Sequence, residues 1–133
     1  MIPMSEEEVT AMPIDPHDPR PIYLQIAEEI KSRIGAGQLA AGDRVPSTNE
    51  ISAFYTVNPT TAAKALTQLH EEALVIKKRG LGMFVTDSAQ TTIMSQRQQH
   101  FAKNFIQPLI REATALGLSE GDIQQLIAKE MRA

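Results

Sequence analysis

Two clusters of polar residues in the middle of the chain have the composition of anion-binding sites. The first is "NPTTAAK" at 58–64, in which a capping asparagine and a proline suited to the first helical position precede two hydroxyls and Lys64. Free N–H groups and the positive end of a helix dipole favour a negatively charged group at such a helix start. The second is "KKRG" at 77–80, where three cations precede a glycine that permits close backbone approach. Both clusters predict contacts with phosphate groups.

The residue types that carry covalent catalysis or metal binding are scattered or missing. The chain has no cysteine, and His17, His70 and His100 lie in separate segments. Asp15, His17 and Asp18 resemble a set of metal ligands, but the neighbouring prolines spread them along an extended chain, and no second cluster exists. We therefore expect no enzymatic activity, no metal and no cofactor.

The composition indicates one compact core with a smaller appendage. The chain has 133 residues, of which 42% are hydrophobic, and a net charge of −3. Residues 1–20 hold five acidic side chains against one basic, so the rest of the chain is nearly neutral and its positive charge is local. No apolar run is long enough to span a bilayer, and the first residues lack the pattern of a signal peptide. We expect a cytoplasmic protein without a membrane partner.

The apolar pattern becomes helical after an acidic, proline-containing arm at 1–20, which we expect to be mobile. A first helix begins after Pro21, and glycines at 35 and 37 end it. Its predicted core residues repeat every fourth position: Ile22, Ile26, Ile30 and Ile34. Its predicted outward residues are charged: Glu28, Glu29, Lys31 and Arg33.

A short extended stretch around Val45 follows, and then two further helices and a hairpin. Ser47 and Glu50 have the spacing of a capping box, which predicts a helix from Ser47 to Tyr55. The next helix runs from Asn58 to Glu72, and two short strands follow at 75–78 and 83–86. The apolar stripe of this third helix is formed by Ala62, Ala65, Leu66 and Leu69. We expect the core to be filled by Ile26, Ile51, Phe54, Leu66 and Phe84.

This order of elements is that of a winged helix-turn-helix, a mainly α fold with a small β-wing (α+β). In that arrangement the third helix enters the major groove of DNA, and the hairpin lies against the adjacent backbone or minor groove. The glycines of the hairpin permit a tight reversal, and the cations lie at its tip. The sequence therefore predicts a double-stranded DNA-binding domain over 21–86.

Residues 21–86 also resemble the DNA-binding domain of the GntR family of bacterial transcription regulators. The resemblance is carried by "PIYLQIAEEIKSRI" at 21–34, "GQLAAGDRVPSTNEIS" at 37–52, "VNPTTAAKAL" at 57–66 and "RGLGMFV" at 79–85. The tail "FIQPLIREATALGLSEGDI" at 105–123 is similar to that of the short-tailed YtrA-type subfamily. The resemblance implies a regulator, with control of a neighbouring transporter operon.

The expected DNA-binding residues lie at two helix starts and in the wing: Ser47, Thr48, Asn49, Asn58, Pro59, Thr60, Thr61, Lys64, Lys77, Arg79 and Gly80. For Ser47 a role in the helix cap alone remains an equal alternative. Members of the family commonly have arginine where this chain has Asn49. Because asparagine is shorter and uncharged, we expect it to weaken DNA binding or to alter the register of the protein on DNA. The usual glycine before Leu74 is Ala73; if Ala73 adopts a positive φ, strain of about 1 kcal/mol follows.

The remaining residues, 87–133, predict two amphipathic helices. The first runs over roughly 95–116, with Pro108 interrupting it, and Gly117 ends it; Ser119 and Asp122 then begin the second. The tail is too short to enclose a pocket for a small-molecule effector. Its helices either pack back on the winged domain or, as we predict, pair with a second copy in a homodimer. The expected dimerisation residues are Phe101, Phe105, Leu109, Leu116, Ile123, Leu126 and Ile127.

The sequence thus predicts a sequence-specific transcription regulator, a dimeric repressor of a bacterial operon. Its alternative is a winged-helix module that docks a protein through the third helix. The basic wing and the polar outer face of that helix favour DNA. The operator, the regulated genes and any inducer do not follow from these residues.

Overall fold

The computed structural model describes residues 14–15 and 17–133. Its helices and strands, in chain order, are α1 (Ile22–Gly35), α2 (Thr48–Tyr55), α3 (Pro59–Glu71), β1 (Val75–Lys78), β2 (Gly82–Val85), α4 (Ala89–Phe101), α5 (Gln107–Ala115) and α6 (Glu120–Met131). This order confirms the predicted winged helix-turn-helix fold. The chain divides between Met94 and Ser95 into two compact units, here called the head unit and the tail unit.

Helix α1 supplies one wall of the core of the head unit. Three of its isoleucines are at most 3% exposed: Ile26, Ile30 and Ile34. Ile22, at the start of the helix, is 45% exposed, so the predicted stripe is shorter than expected. The outward placement of Lys31 was wrong, because its Nζ lies 2.6 Å from the Oε1 atom of Glu72 and the residue is buried. A four-residue repeat drifts by about 40° per step around a helix, which turns the buried face towards Lys31.

Helices α2 and α3 form the helix-turn-helix. The predicted stripe of α3 is confirmed, since Ala62, Ala65, Leu66 and Leu69 are all buried. Ile51 of α2 is 1% exposed, whereas Phe54 is only half-buried, so its placement in the core was wrong. The helix has just 8 residues, and Ile51 is its one buried side chain. The Phe54 ring instead meets the Tyr55 ring edge-on, with centroids 4.8 Å apart.

The wing is an antiparallel hairpin in which Val75 pairs with Val85 and Lys78 with Gly82. Its second strand begins one residue earlier than predicted. Residues 42–45 run along β2, because the Val45 N–H donates to the Met83 carbonyl at 2.9 Å. This pairing joins the wing to the segment that leads into α2. Phe84 was expected in the core and is only half-buried.

Helix α4 begins at Ala89, six residues before the predicted start at 95. Ala89 and Ile93 are 0% and 1% exposed and belong to the core of the head unit. Little in the sequence indicates this, since Ala89 and Ile93 stand in a mostly polar stretch whose other apolar residue is Met94. The first residues of α4 therefore complete the winged domain.

In the tail unit, the interruption predicted at Pro108 takes the form of a π-helical segment, Ala102–Ile106, between α4 and α5. The Gln107 N–H donates to the Ala102 carbonyl, five residues back. Since proline has no N–H, a local change of helix type accommodates the missing donor. The predicted start of α6 is confirmed, with Ser119 as its cap.

Most of the arm predicted at 1–20 lies outside the described residues, which exclude 1–13 and 16. Described residues of the arm contact the rest of the head unit: Ile14 packs against the core, and the Asp15 N–H donates to Oε1 of Gln25 at 3.1 Å. None of the helices in the described part of the chain combines the length and apolarity needed to cross a membrane.

Candidate nucleic-acid interface

The start of α2 is closed by the predicted capping box. The Glu50 N–H donates to the Ser47 Oγ at 3.1 Å, and the Ser47 N–H donates to Oε1 of Glu50 at 3.1 Å. The hydrogen bond from the Ser47 N–H lowers the pKa of the Glu50 carboxyl more than burial raises it. The Ser47 hydroxyl thus accepts in the cap and keeps its own proton to donate. Asn49, in the first turn, is exposed.

The start of α3 offers fewer donors than its sequence indicated. The Thr61 N–H donates to Oδ1 of Asn58 at 2.8 Å, and Pro59 has no N–H. Within the described structure, the first turn of α3 therefore keeps one backbone donor for an anion, the Thr60 N–H. The amide NH₂ of Asn58 adds a second donor nearby. Thr60 is exposed and Thr61 is half-buried.

The outward face of α3 is a stripe opposite its buried face. At 3.6 residues per turn, Thr60, Lys64, Thr67 and Glu71 lie on this side, and all four are exposed. Lys64 leans towards α1, with its Nζ 5.9 Å from the centroid of the Tyr23 ring. A cation–π contact at an exposed site contributes only about 0.5–1 kcal/mol, so the ammonium can leave it for DNA.

The two lysines of β1 lie on opposite faces of the wing. Lys77 lines a cleft beside α3, whereas the Lys78 Nζ lies 4.7 Å from the centroid of the Phe84 ring. Successive residues of a strand point to opposite faces, so this alternation follows from the β-conformation. At the tip Gly80 has a φ of +75°, and a Cβ there would meet nothing within 4 Å, so the backbone is open to a partner. Arg79 beside it is exposed.

A cleft of about 320 Å³ separates α3 from the wing in the head unit. Its polar rim is formed by Arg44, Ser47, Thr48, Thr67 and Lys77, and Ala63 leaves room on the α3 side. The structure thus brings the start of α2, the outer face of α3 and the wing around one opening. Sequence reasoning missed Arg44, Ala63 and Thr67 as candidates.

The charges around this opening are mostly positive. Glu72, directly after α3, is paired with Lys31 at 2.6 Å on the α1 side. Glu50 is held in the α2 cap beside Arg44. Glu71 is therefore the remaining exposed acidic residue of α3, and the cations of the wing outnumber it. In the described residues no group of three or more candidate metal ligands occurs, at this face or elsewhere.

Comparisons with known proteins identify the family of the chain. Residues 22–85 match the model of bacterial regulatory proteins of the gntR family. The chain is 31% identical over 120 residues to the HTH-type transcriptional repressor YtrA of Bacillus subtilis (strain 168), covering 90% of this chain and 91% of that protein. A solved transcriptional regulator from Oenococcus oeni superposes with a TM-score of 0.74 at 25% identity, covering 89% of this chain and 97% of that one.

A DNA complex is also similar to part of the chain. The DNA-binding domain of AraR, solved in complex with operator ORX1, has a TM-score of 0.51 at 31% identity, covering 55% of this chain and 90% of that one. Likeness in sequence over nearly the whole chain and likeness in fold from α1 to the wing therefore point to the same family. The chain belongs to the gntR family of bacterial regulatory proteins, and it is a DNA-binding transcription regulator and not an enzyme.

Proposed function

We propose that the protein represses transcription by binding an operator as a homodimer, with α3 of each copy in a major groove and each wing against the adjacent minor groove. The observation that supports this most is that the α2 start, the outer face of α3 and the wing lie around one shared cleft. The protein acts in the cytoplasm, and the resemblance to the short-tailed subfamily favours a transporter operon as its target.

Each predicted site residue has a role in this proposal. The Thr60 N–H and the Asn58 amide donate to a phosphate beside the α3 start, and Pro59 fixes the entry of the helix. Thr60 and Thr61 offer hydroxyls or methyls, and Lys64 leaves Tyr23 to reach a guanine edge or a phosphate. Since α3 has no arginine, the shape and deformability of the operator contribute more to specificity than base contacts do.

The second cluster of roles lies in α2 and the wing. Ser47, Thr48 and Asn49 offer short polar groups to a phosphate, and Lys77 faces the cleft. Arg79 contacts the backbone or the minor groove, and Gly80 lets the main chain approach DNA closely.

The exposed apolar surface of the tail unit supports the dimer. Large side chains of this unit are 38% to 82% exposed: Phe101, Phe105, Leu109, Ile110, Leu116, Leu126, Ile127 and Met131. The Phe101 and Phe105 rings lie 5.6 Å apart, and Ile123 is half-buried. Monomeric proteins rarely expose this much apolar surface, and two linked heads gain affinity through effective concentration.

One experiment separates this function from a protein-docking module. DNase footprinting of the purified protein on the promoter of its own operon should protect two half-sites about one helical turn, or a small multiple, apart. Affinity should fall steeply with salt, because phosphate contacts release counterions. A protein that protects no promoter and binds DNA without salt dependence would favour the docking module.

Arg79→Ala tests the wing within the same assay. We expect weaker binding to the operator and to random DNA by similar factors, with a salt slope flatter by about 0.9. Unchanged affinity and slope would contradict the assignment of the wing. The proposal includes no effector site in residues 87–133. A metabolite that shifts the melting temperature of the full chain, but not that of a chain truncated after Ser95, would contradict it.

A further inference from the structure

The proposed docking leaves one stretch of DNA backbone to be accommodated. A helix in the major groove and a wing in the adjacent minor groove lie on either side of one sugar–phosphate strand, because that strand separates the two grooves. The strand must therefore cross the cleft between α3 and the wing. This step rests on the proposed function, and it asks which groups in the cleft meet the phosphates.

The cleft has the polar groups that a phosphate requires. Arg44 and Lys77 supply two cations from its wing side, and Ser47 and Thr48 supply hydroxyls from the start of α2. Its floor is apolar, formed by Leu66 and Met83 among others. An apolar floor strengthens the attraction between a phosphate and the cations at the rim, since water is partly excluded.

Arg44 is held between the wing and α2 by contacts at both ends of its side chain. Its backbone bridges to Phe84, next to the pairing of Val45 with β2. Its stem crosses Gly82, where an added Cβ would lie 3.0 Å from the Arg44 Nε. Its Nη1 donates to Oε1 of Glu50 at 3.2 Å. Gly82, with a φ of +110°, thus provides both the turn and the space for the arginine.

We propose that Arg44 is a DNA-backbone contact, with its guanidinium, oriented by Glu50, binding the phosphate that crosses the cleft while Lys77 approaches the same strand from the wing. An arginine carries five N–H donors in a planar fork, and the bond to Glu50 uses one of them. The Arg44 side chain is still 40% exposed, so the remaining donors are accessible. Glu50 acts as a positioning residue, since its carboxylate is fixed by the Ser47 N–H.

The salt dependence of DNA binding tests this assignment on the full-length protein. The probe is a mixed-sequence duplex of about 20 base pairs, two helical turns. Arg44→Gln should weaken binding about tenfold and flatten the plot of log affinity against log salt by about 0.9. Arg44→Lys keeps the charge and should retain the slope while weakening binding less. Lys78→Gln is the matched control, because it removes one nearby cation on the opposite face of the wing, and its slope should change less.

Melting temperatures separate a contact from a structural role. The Arg44–Glu50 pair is partly exposed, so Arg44→Gln should melt within a few degrees of the parent protein. A variant that melts lower and binds more weakly with an unchanged slope would make Arg44 structural and overturn the proposal. Parent-like affinity and slope would overturn it too.

Arg79→Ala, measured on the same duplex, distinguishes a wrong assignment of Arg44 from a wrong placement of the whole interface. If Arg79→Ala flattens the slope and Arg44→Gln does not, the proposed interface stands and the assignment of Arg44 falls. If neither changes the slope, the interface itself is misplaced, and the inference about Arg44 falls with it.

Discussion

The head unit and the tail unit satisfy their apolar residues in opposite ways. Among the described residues, 15 of the 16 buried hydrophobic side chains lie at or before Ile93, and the other is Ala113. Conversely, 8 of the 12 large hydrophobic side chains that are exposed lie after Met94. The head therefore has the internal core of a domain that folds alone, whereas the tail has the exposed apolar surface that supports the proposed dimer.

The boundary between the two units can be tested by truncation, with the largest expected effect. A chain ending at Asp87 loses Ala89 and Ile93, which are almost fully buried in the head core. A chain ending at Ser95 keeps both. We expect the shorter fragment to have a free energy of unfolding lower by about 2–5 kcal/mol, measured by urea denaturation. Ile93→Ala in the longer fragment should reproduce much of this loss, and equal stability of the two fragments would show that α4 contributes nothing to the head.

A second change tests whether the tail is completed by another copy. Phe105→Glu with Leu109→Glu should give a monomer in sedimentation and lower operator affinity at least about tenfold, roughly 1.4 kcal/mol, because charge would be buried in the interface. Gln124→Glu with Gln125→Glu adds the same charge at exposed polar positions and is the control. The fragment ending at Ser95 should also be monomeric and bind the operator as weakly.

Either of two results would contradict the dimer. One is a double glutamate variant that sediments as the parent protein does. The other is a fragment ending at Ser95 that still dimerises or binds the operator as tightly as the full chain, since the tail would then not link the two heads.

The features that were predicted correctly from sequence depend on neighbours in the chain. The caps at Ser47, Asn58 and Ser119 each join residues three apart, so their side chains and spacing suffice to identify them. The stripe of α3 likewise follows from the period of a single helix. The fold class and most of the candidate site came from such local signals.

The features that were missed depend on partners far along the chain. Lys31 is buried because it meets Glu72, 41 residues away. Arg44 reaches the candidate interface because residues 42–45 pair with β2. An extended stretch around Val45 follows from the sequence, but the strand with which it pairs does not. Ile93 lies in a polar stretch, and only the packing of the head shows that it completes the core. Local periodicity cannot supply contacts of this kind.

Asn49→Arg tests whether the head alone sets the strength of DNA contact. Asn49 is exposed in the first turn of α2. The resemblance to the family implies an arginine at this position. We expect tighter binding by a few-fold and a salt slope steeper by about 0.9, in both the full chain and the fragment ending at Ser95. Asn49→Gln, which adds length without charge, should leave the slope unchanged. Weaker operator binding by Asn49→Arg would mean that this protein docks in a different register from its relatives.

The smallest expected effect on stability comes from substitutions at the ends of two helices, one in each unit. Helix α3 and helix α5 both finish in the same motif: the Leu74 N–H donates to the Leu69 carbonyl at 3.0 Å, and the Leu118 N–H to the Ala113 carbonyl at 2.9 Å. The residue before each donor is left-handed, with a φ of 60° at Ala73 and 75° at Gly117. Ala73 therefore adopts the positive φ on which the strain expected from the sequence depends.

Exchanging the two residue types should shift stability in opposite directions. Ala73→Gly removes a Cβ that is unfavourable at positive φ and should raise the free energy of unfolding by up to about 1 kcal/mol, less the added entropy of the unfolded chain. Gly117→Ala should destabilise the tail by about the same amount. Urea denaturation of the fragment ending at Ser95 isolates the first effect, and helix content of the full chain by circular dichroism follows the second. If Ala73→Gly lowers stability, the contacts of the Ala73 methyl outweigh the strain, and the head has adapted to alanine at this helix end.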